Sequence, residues 1–179
     1  VPNDEQFYIG SGDLANAFYT LAAPPELAQR FTLPRIKVDF LESDVLASAG
    51  LQPGSQALPY LTILPMGWSW ALHFCQKVLM HAIESSGIVG RQIIGDKRTG
   101  VQLHGGSDIA VAGYVDNFGV IGTCPRAVNQ GLAKISEHLR CLGLTVHEEE
   151  EAQHVGSFIG LHFDGRSGFV SIAPKRLHN

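Results

Sequence analysis

Positive charge is in short supply in this sequence. Its 13 Lys and Arg residues stand against 17 Asp and Glu, for a formal net charge of −4 over 179 residues. That excludes the strongly basic surface of a protein coated in nucleic acid, and leaves room for a groove whose positive charge is local. Cysteine is scarce as well. Cys75, Cys124 and Cys141 are odd in number and widely spaced, which gives neither a disulfide framework nor a zinc pattern and points to a reducing compartment. His73 and Cys75 lie on an expected helix with no second pair of ligands, and read as core. No apolar run is long enough to span a bilayer and no signal-peptide pattern opens the chain, so no membrane is expected among its partners. The expected location is intracellular, in cytoplasm or nucleus, and not secreted. The chain also lacks an initiator methionine: it begins at Val1 and reaches an apolar stretch almost at once. We expect a piece of a longer polyprotein, with that polyprotein's other domains as partners. Charged residues make up only 17% against 45% hydrophobic, which implies a packed core rather than disorder.

What is present is a pattern centred on residues 109–122. Two apolar, β-rich runs flank Asp116-Asn117, a pair that tolerates turn geometry, and this reads as a tight hairpin with a carboxylate at its tip. Upstream, residues 7–13 read as a strand ending in a second carboxylate, Asp13. Residues 14–21 carry apolar side chains at helical spacing until Pro24-Pro25 stops them. Residues 26–29 suit one helical turn, 30–33 and 36–40 a strand pair around Pro34, and 42–54 irregular chain. A strand over 60–64 leads to a long, largely buried helix over 68–86, and 87–107 reads as a loop or loose hairpin. Downstream, Pro125 and Gly143 bracket a helix ending near Leu142. Then come a strand over 144–147, a solvated acidic turn at 148–151, and a final hairpin of 157–163 with 168–172 around Asp164-Gly165.

Without its insertions the order is strand, helix, strand, strand, helix, strand, the ferredoxin-like split arrangement. There the first and third strands are antiparallel neighbours, so the end of one, at Asp13, lies beside the start of the other, at Asp116. Two carboxylates held together repel unless a cation joins them or one takes a proton. Aspartate oxygens suit Mg²⁺, which completes its shell with water and substrate phosphates. Paired ions ~3.5–4 Å apart serve phosphoryl transfer in polymerases.

In that order the residues resemble the reverse transcriptases of retroelements. Gly12-Asp-Leu-Ala-Asn-Ala-Phe18 is similar to the family's first palm motif, and Leu64-Pro-Met-Gly-Trp68 to its second. Tyr114-Val-Asp-Asn117 resembles the third, usually Tyr-x-Asp-Asp. Leu142-Gly-Leu144 lies where the fourth falls, and residues 158–163 resemble the primer-grip hairpin. The resemblance implies an α+β fold over residues 1–179. It would be a ferredoxin-like βαββαβ polymerase palm with a partial fingers-like insertion over 22–60 and a primer-grip-like hairpin over 155–173. It implies an RNA-directed DNA polymerase using Mg²⁺ or Mn²⁺, with an RNA or DNA template, a DNA primer and deoxynucleoside triphosphates as partners. Asp13, Asp116 and the Leu14 carbonyl would hold metal, and Asp13, Asp116 and Asn117 would occupy the catalytic positions. Phe18 would exclude a 2′-hydroxyl and Ala17 would line the 3′-hydroxyl pocket. Leu14, Met66, Gly67 and Tyr114 would contact substrate, and Phe158, Gly160 and Phe163 the primer end.

Three positions depart from the family pattern. Asn117 replaces a second aspartate and brings no negative charge. Met66 replaces a glutamine, and residues 148–151 put glutamates where a lysine usually stands. These departures bear on catalysis and leave the fold untouched, so the rival expectation is a repurposed polymerase domain that binds nucleic acid or protein. A more distant one starts from Gly67-Trp-Ser-Trp-Ala71, close to a nucleophile elbow. A hydrolase would use Ser69 with one of His138, His147, His154 or His162. Pro65-Met66 and the short chain argue against it.

Overall fold

The computed structural model describes residues 6–173. Its elements in chain order are β1 (Tyr8–Leu14), α1 (Ala17–Thr20), α2 (Pro25–Ala28), β2 (Ile36–Lys37), α3 (Ser43–Ser48), β3 (Gln56–Ala57) and α4 (Ser69–Ser85). There follow β4 (Ile93–Ile94), β5 (Ile109–Tyr114), β6 (Asn117–Gly122), α5 (Pro125–Cys141), β7 (Val146–Gln153), β8 (Val155–Phe158), β9 (Leu161–Asp164) and β10 (Phe169–Ile172). The class is mixed α/β. Residues divide into two compact units: Phe18–Ala71 form one, and the chain on either side forms the other.

The larger unit is built on a mixed sheet in the order β4-β5-β6-β1-β7. β4 is parallel to β5 and every other neighbouring pair is antiparallel. One face of this sheet is covered by helix. α5 turns Val128, Leu132, Ile135 and Leu139 inward at helical spacing, and they bury with Leu14, Ile109, Val111, Phe118 and Val120. From α4, Leu79, Ala82 and Ile83 join the same core. Gly131 lets α5 approach closely, since a Cβ there would lie 2.7 Å from the Ile109 Cδ1. On the opposite face Gly119 lies under the Phe158 ring, where a Cβ would stand 3.2 Å from the Cδ2. Because strand side chains alternate, Asp13, Asn117 and Tyr114 share that second face.

Several expectations change. The helix over 14–21 shrinks to the single turn α1, because the Leu14 and Ala15 amides donate to the Asp116 and Thr145 carbonyls, each at 2.8 Å, and Asn16 turns left-handed at φ 54°. The hairpin tip shifts by one residue: Asn117 is the first ladder residue of β6, paired with Tyr114, and the turn pair is Val115-Asp116. Residues 87–107 contribute a real strand, β4. Residues 148–151 are exposed as expected, yet lie within β7 rather than a turn, because their backbone pairs with β1. That pairing carries two register shifts, with Glu148 at φ 50°. The final hairpin is a three-stranded meander of β8, β9 and β10. Its first turn is Ile159-Gly160, both at positive φ, and its second is capped by the Asp164 carboxylate on the Arg166 and Ser167 amides.

In the smaller unit the expected pairing of 30–33 with 36–40 gives way. β2 pairs with β3, and Thr32 makes a single bridge to Tyr60. The strand over 60–64 is reduced to that bridge and one between Ile63 and Ala22. Pro34 and Pro59, which have no amide hydrogen to give, interrupt any longer ladder. The irregular stretch 42–54 contains α3, closed by Gly50 at φ 65°. The Asp39 carboxylate ties this region down by accepting from the Gly54 amide at 2.8 Å. Phe31 and Trp68 stack edge to face at 5.0 Å.

Candidate active site

The sheet register sets a row of side chains across four strands: Tyr114 on β5, Asn117 on β6, Asp13 on β1 and His147 on β7, each the direct partner of the next. Directly opposed residues have Cβ atoms about 4.5–5.5 Å apart, so the row is a continuous strip of polar groups. Asp116 stands in the turn immediately before Asn117. Its backbone carbonyl is held by the Leu14 amide at 2.8 Å, which ties the hairpin tip to the end of β1. Its carboxylate Oδ1 accepts from the Asn117 Nδ2 at 2.8 Å.

The electrostatics agree with the register. Burial pushes the Asp13 carboxyl above the ordinary carboxylate range, and the Asp116 charge pushes it the same way. The His147 ring, with Nδ1 3.4 Å from the Asp13 Oδ1, draws it back, while Glu148 adds a smaller upward push. Asp116 also reaches behind the turn: burial and then its charge raise the Cys75 thiol on α4. This strip is therefore where negative charge is concentrated against the fold's preference, which is the condition a cation relieves.

Asp13, Leu14, Tyr114, Asp116 and Asn117 are thus brought together at one end of the sheet. Ala17 is buried in the core of the same unit. Phe18, Met66 and Gly67 belong to the smaller unit, where Met66 is 64% exposed and Gly67 has φ 95°. Of the residues expected at a primer, Phe158 is buried over Gly119, Gly160 completes the β8–β9 turn, and Phe163 is half-buried on β9. The four histidines named for a hydrolase have other engagements. His138 meets Ser85, His147 Asp13, His154 the Phe7 carbonyl, and His162 Ser157.

Two residues join the site that the polymerase pattern did not assign to it, His147 having been named only for a hydrolase and Gln76 not at all. His147 enters through the register of β7 against β1. Gln76 on α4 reaches the hairpin with both ends of its amide: Nε2 donates to the Gly113 carbonyl at 3.0 Å, and Oε1 accepts from the Val115 amide at 2.7 Å. No local pattern places either residue beside the carboxylates, since each partner is distant in the chain. Among the described residues no group of three or more His, Cys, Asp and Glu is arranged to hold a metal ion, and no helix is long and apolar enough to cross a membrane.

No family profile matches this chain, and no curated protein sequence does. Among solved structures it is similar to a foamy viral protease-reverse transcriptase in complex with an RNA/DNA hybrid, with a TM-score of 0.58 and 11% sequence identity. The match covers 96% of this chain and 18% of that one, so the chain spans about a fifth of the protein it resembles. At this identity the likeness shows a reverse-transcriptase-like fold.

Proposed function

We propose that the larger unit is the palm of a reverse transcriptase, with the ferredoxin-like order β1-α4-β5-β6-α5-β7, and that residues 22–60 hold the partial fingers-like part. The observation that carries this reading is the juncture of β1 and the β5–β6 turn. Two carboxylates, Asp13 and Asp116, lie at strand ends joined by a backbone hydrogen bond, and one is held above its ordinary range partly by the other. Their chemistry fits Mg²⁺ or Mn²⁺: hard oxygen donors, net negative charge and partial exposure. Asp13, Asp116 and the Leu14 carbonyl would hold the ion, which when bound supplies charge neutralisation at the phosphates and activates the primer hydroxyl. The chain's own part is placement. The β1 and β6 ladder fixes the carboxylates and Tyr114 offers a half-exposed ring beside them. Phe18, four residues after Leu14 in the sequence, takes the sugar-facing role from the motif resemblance alone.

The test is primer extension on a defined RNA template with the full chain, in Mg²⁺ and separately in Mn²⁺. Parent protein should extend a DNA primer with deoxynucleotides, and Asp13→Asn or Asp116→Asn should reduce extension to background. Extension that survives both substitutions would overturn the reading.

The Asn117 amide on Asp116 favours a second reading, a repurposed domain that binds a hybrid duplex without copying it. That protein would shift the anisotropy of a labelled RNA/DNA hybrid, equally with and without divalent ion, and extend nothing.

A further inference from the structure

We infer that Gln76 is a positioning residue that clamps the carboxylate-bearing turn and so fixes where Asp116 is presented to a metal ion; this rests on the metal reading above. The Gln76 amide donates to Gly113 and accepts from Val115, at 3.0 and 2.7 Å. Reversing the amide would face donor to donor and acceptor to acceptor, so the pair of bonds defines one orientation. What the clamp holds is strained. Val115 is buried and β-branched, yet its backbone sits at φ 59°, a region that such a residue occupies only under strain. Strain of that kind persists only where neighbouring groups over-determine it.

The neighbours are present on both sides. β1 holds the next residue, through the Leu14 amide on the Asp116 carbonyl. From the helix side Gln76 holds Val115, and α4 approaches closely because Gly113 has no side chain: a Cβ there would lie 2.8 Å from the Ile83 Cδ1 and 3.1 Å from the Met80 Sδ. Without Gln76 the Val115 amide loses its partner, the residue relaxes toward ordinary extended geometry, and the Asp116 side chain is re-aimed. The core, which lies further along α4 at Leu79, Ala82 and Ile83, is left in place.

The experiment titrates Mn²⁺ alone into the full chain, reading bound ion by electron paramagnetic resonance and turn opening by hydrogen exchange at the Val115 amide. Gln76→Met keeps length and volume without either hydrogen bond. It should bind Mn²⁺ about tenfold more weakly and expose the Val115 amide. Adding Val115→Gly should restore most of the affinity, because glycine adopts positive φ without strain. That recovery is the reading a merely structural residue would not produce, since independent substitutions add. Should Gln76→Met fail to fold, Gln76→Asn replaces it, one methylene too short to span both backbone atoms. Unchanged Mn²⁺ affinity in the Gln76 variant, or a loss that Val115→Gly leaves unrepaired, overturns the inference. Asp116→Asn separates it from the reading beneath. If that variant takes up Mn²⁺ like the parent, the ion is not at Asp116, and both the metal reading and the role given to Gln76 fall. If Asp116→Asn weakens binding and Gln76→Met does not, only Gln76 is wrongly assigned.

Discussion

Asp13 sits where two costs meet, a partly buried carboxyl and a neighbouring carboxylate. Its folded pKa is raised, so the stability tied to it is fully present below the unfolded pKa and lost as pH rises through the folded one. Asp13→Asn should therefore melt a few degrees higher than the parent at pH 7, and the difference should close as the pH falls below the carboxylate range. Calorimetry at both pH values measures it. A variant less stable than the parent at pH 7 would mean that the contact with His147 outweighs burial. Asn117 makes the complementary case. Its amide donates to Asp116, and Asn117→Asp replaces that donor with a third negative charge. Like charges at ~4 Å cost roughly 1 kcal/mol in bulk water and more where water is excluded. The variant should melt lower in chelator and recover in Mg²⁺ by ligand linkage, and a melting point indifferent to Mg²⁺ would make Asn117 an ordinary ladder residue. At Phe18 the measurement is a ratio. In an extension-competent protein, Phe18→Ala should raise ribonucleotide over deoxyribonucleotide incorporation, read in kcat/KM, and an unchanged ratio would leave Phe18 a packing residue.

The meander of β8, β9 and β10 depends on one close approach. Gly165 exchanges backbone hydrogen bonds with the segment before β1 and the end of β7: Phe7 donates to its carbonyl at 2.9 Å, and its own amide donates to the His154 carbonyl at 2.6 Å. A Cβ at Gly165 would lie 2.0 Å from the Phe7 carbonyl oxygen, which is backbone and cannot swing aside. Gly165→Ala should cost about 1–3 kcal/mol, seen as an earlier denaturant midpoint. An unchanged midpoint would mean that this turn separates freely from β1. Elements of this kind also mark how far the sequence could be read. β1, β5, β6, α4 and α5 were legible because their apolar spacing matches their period and Pro125 and Gly143 punctuate α5. The Val115-Asp116 turn was not, because valine has no preference for left-handed backbone and is held there by Gln76 from another element. The strand pairing of residues 30–40 was misread for a similar reason: β2 finds its partner at β3, beyond a helix. The adjacency of Asp13, Asp116 and Asn117 was legible from strand order, while that of His147 needed the bulged register of β7.

At the scale of the whole chain, the fold is recognisable at 11% identity to a far longer protein, although no sequence profile matches. Burial pattern and strand order survive substitutions that erase residue identity, because a core asks for volume and polarity rather than for particular side chains. The rims of the larger sheet have a consequence of their own. One ends in β4, two residues long, and the other in β7, with four consecutive glutamates, a left-handed residue and two slips of register. Neither offers a straight, neutral ladder on which a second molecule could stack, so the sheet is closed to growth by end-to-end joining. On the β7 side that barrier has an ionic part, the run of exposed glutamates, beside the slips of register. Light scattering from a concentrated solution of the parent should stay flat, and replacing residues 149–151 with glutamines should make it climb as molecules begin to string together; a flat trace from that variant would leave the slips of register as the whole barrier.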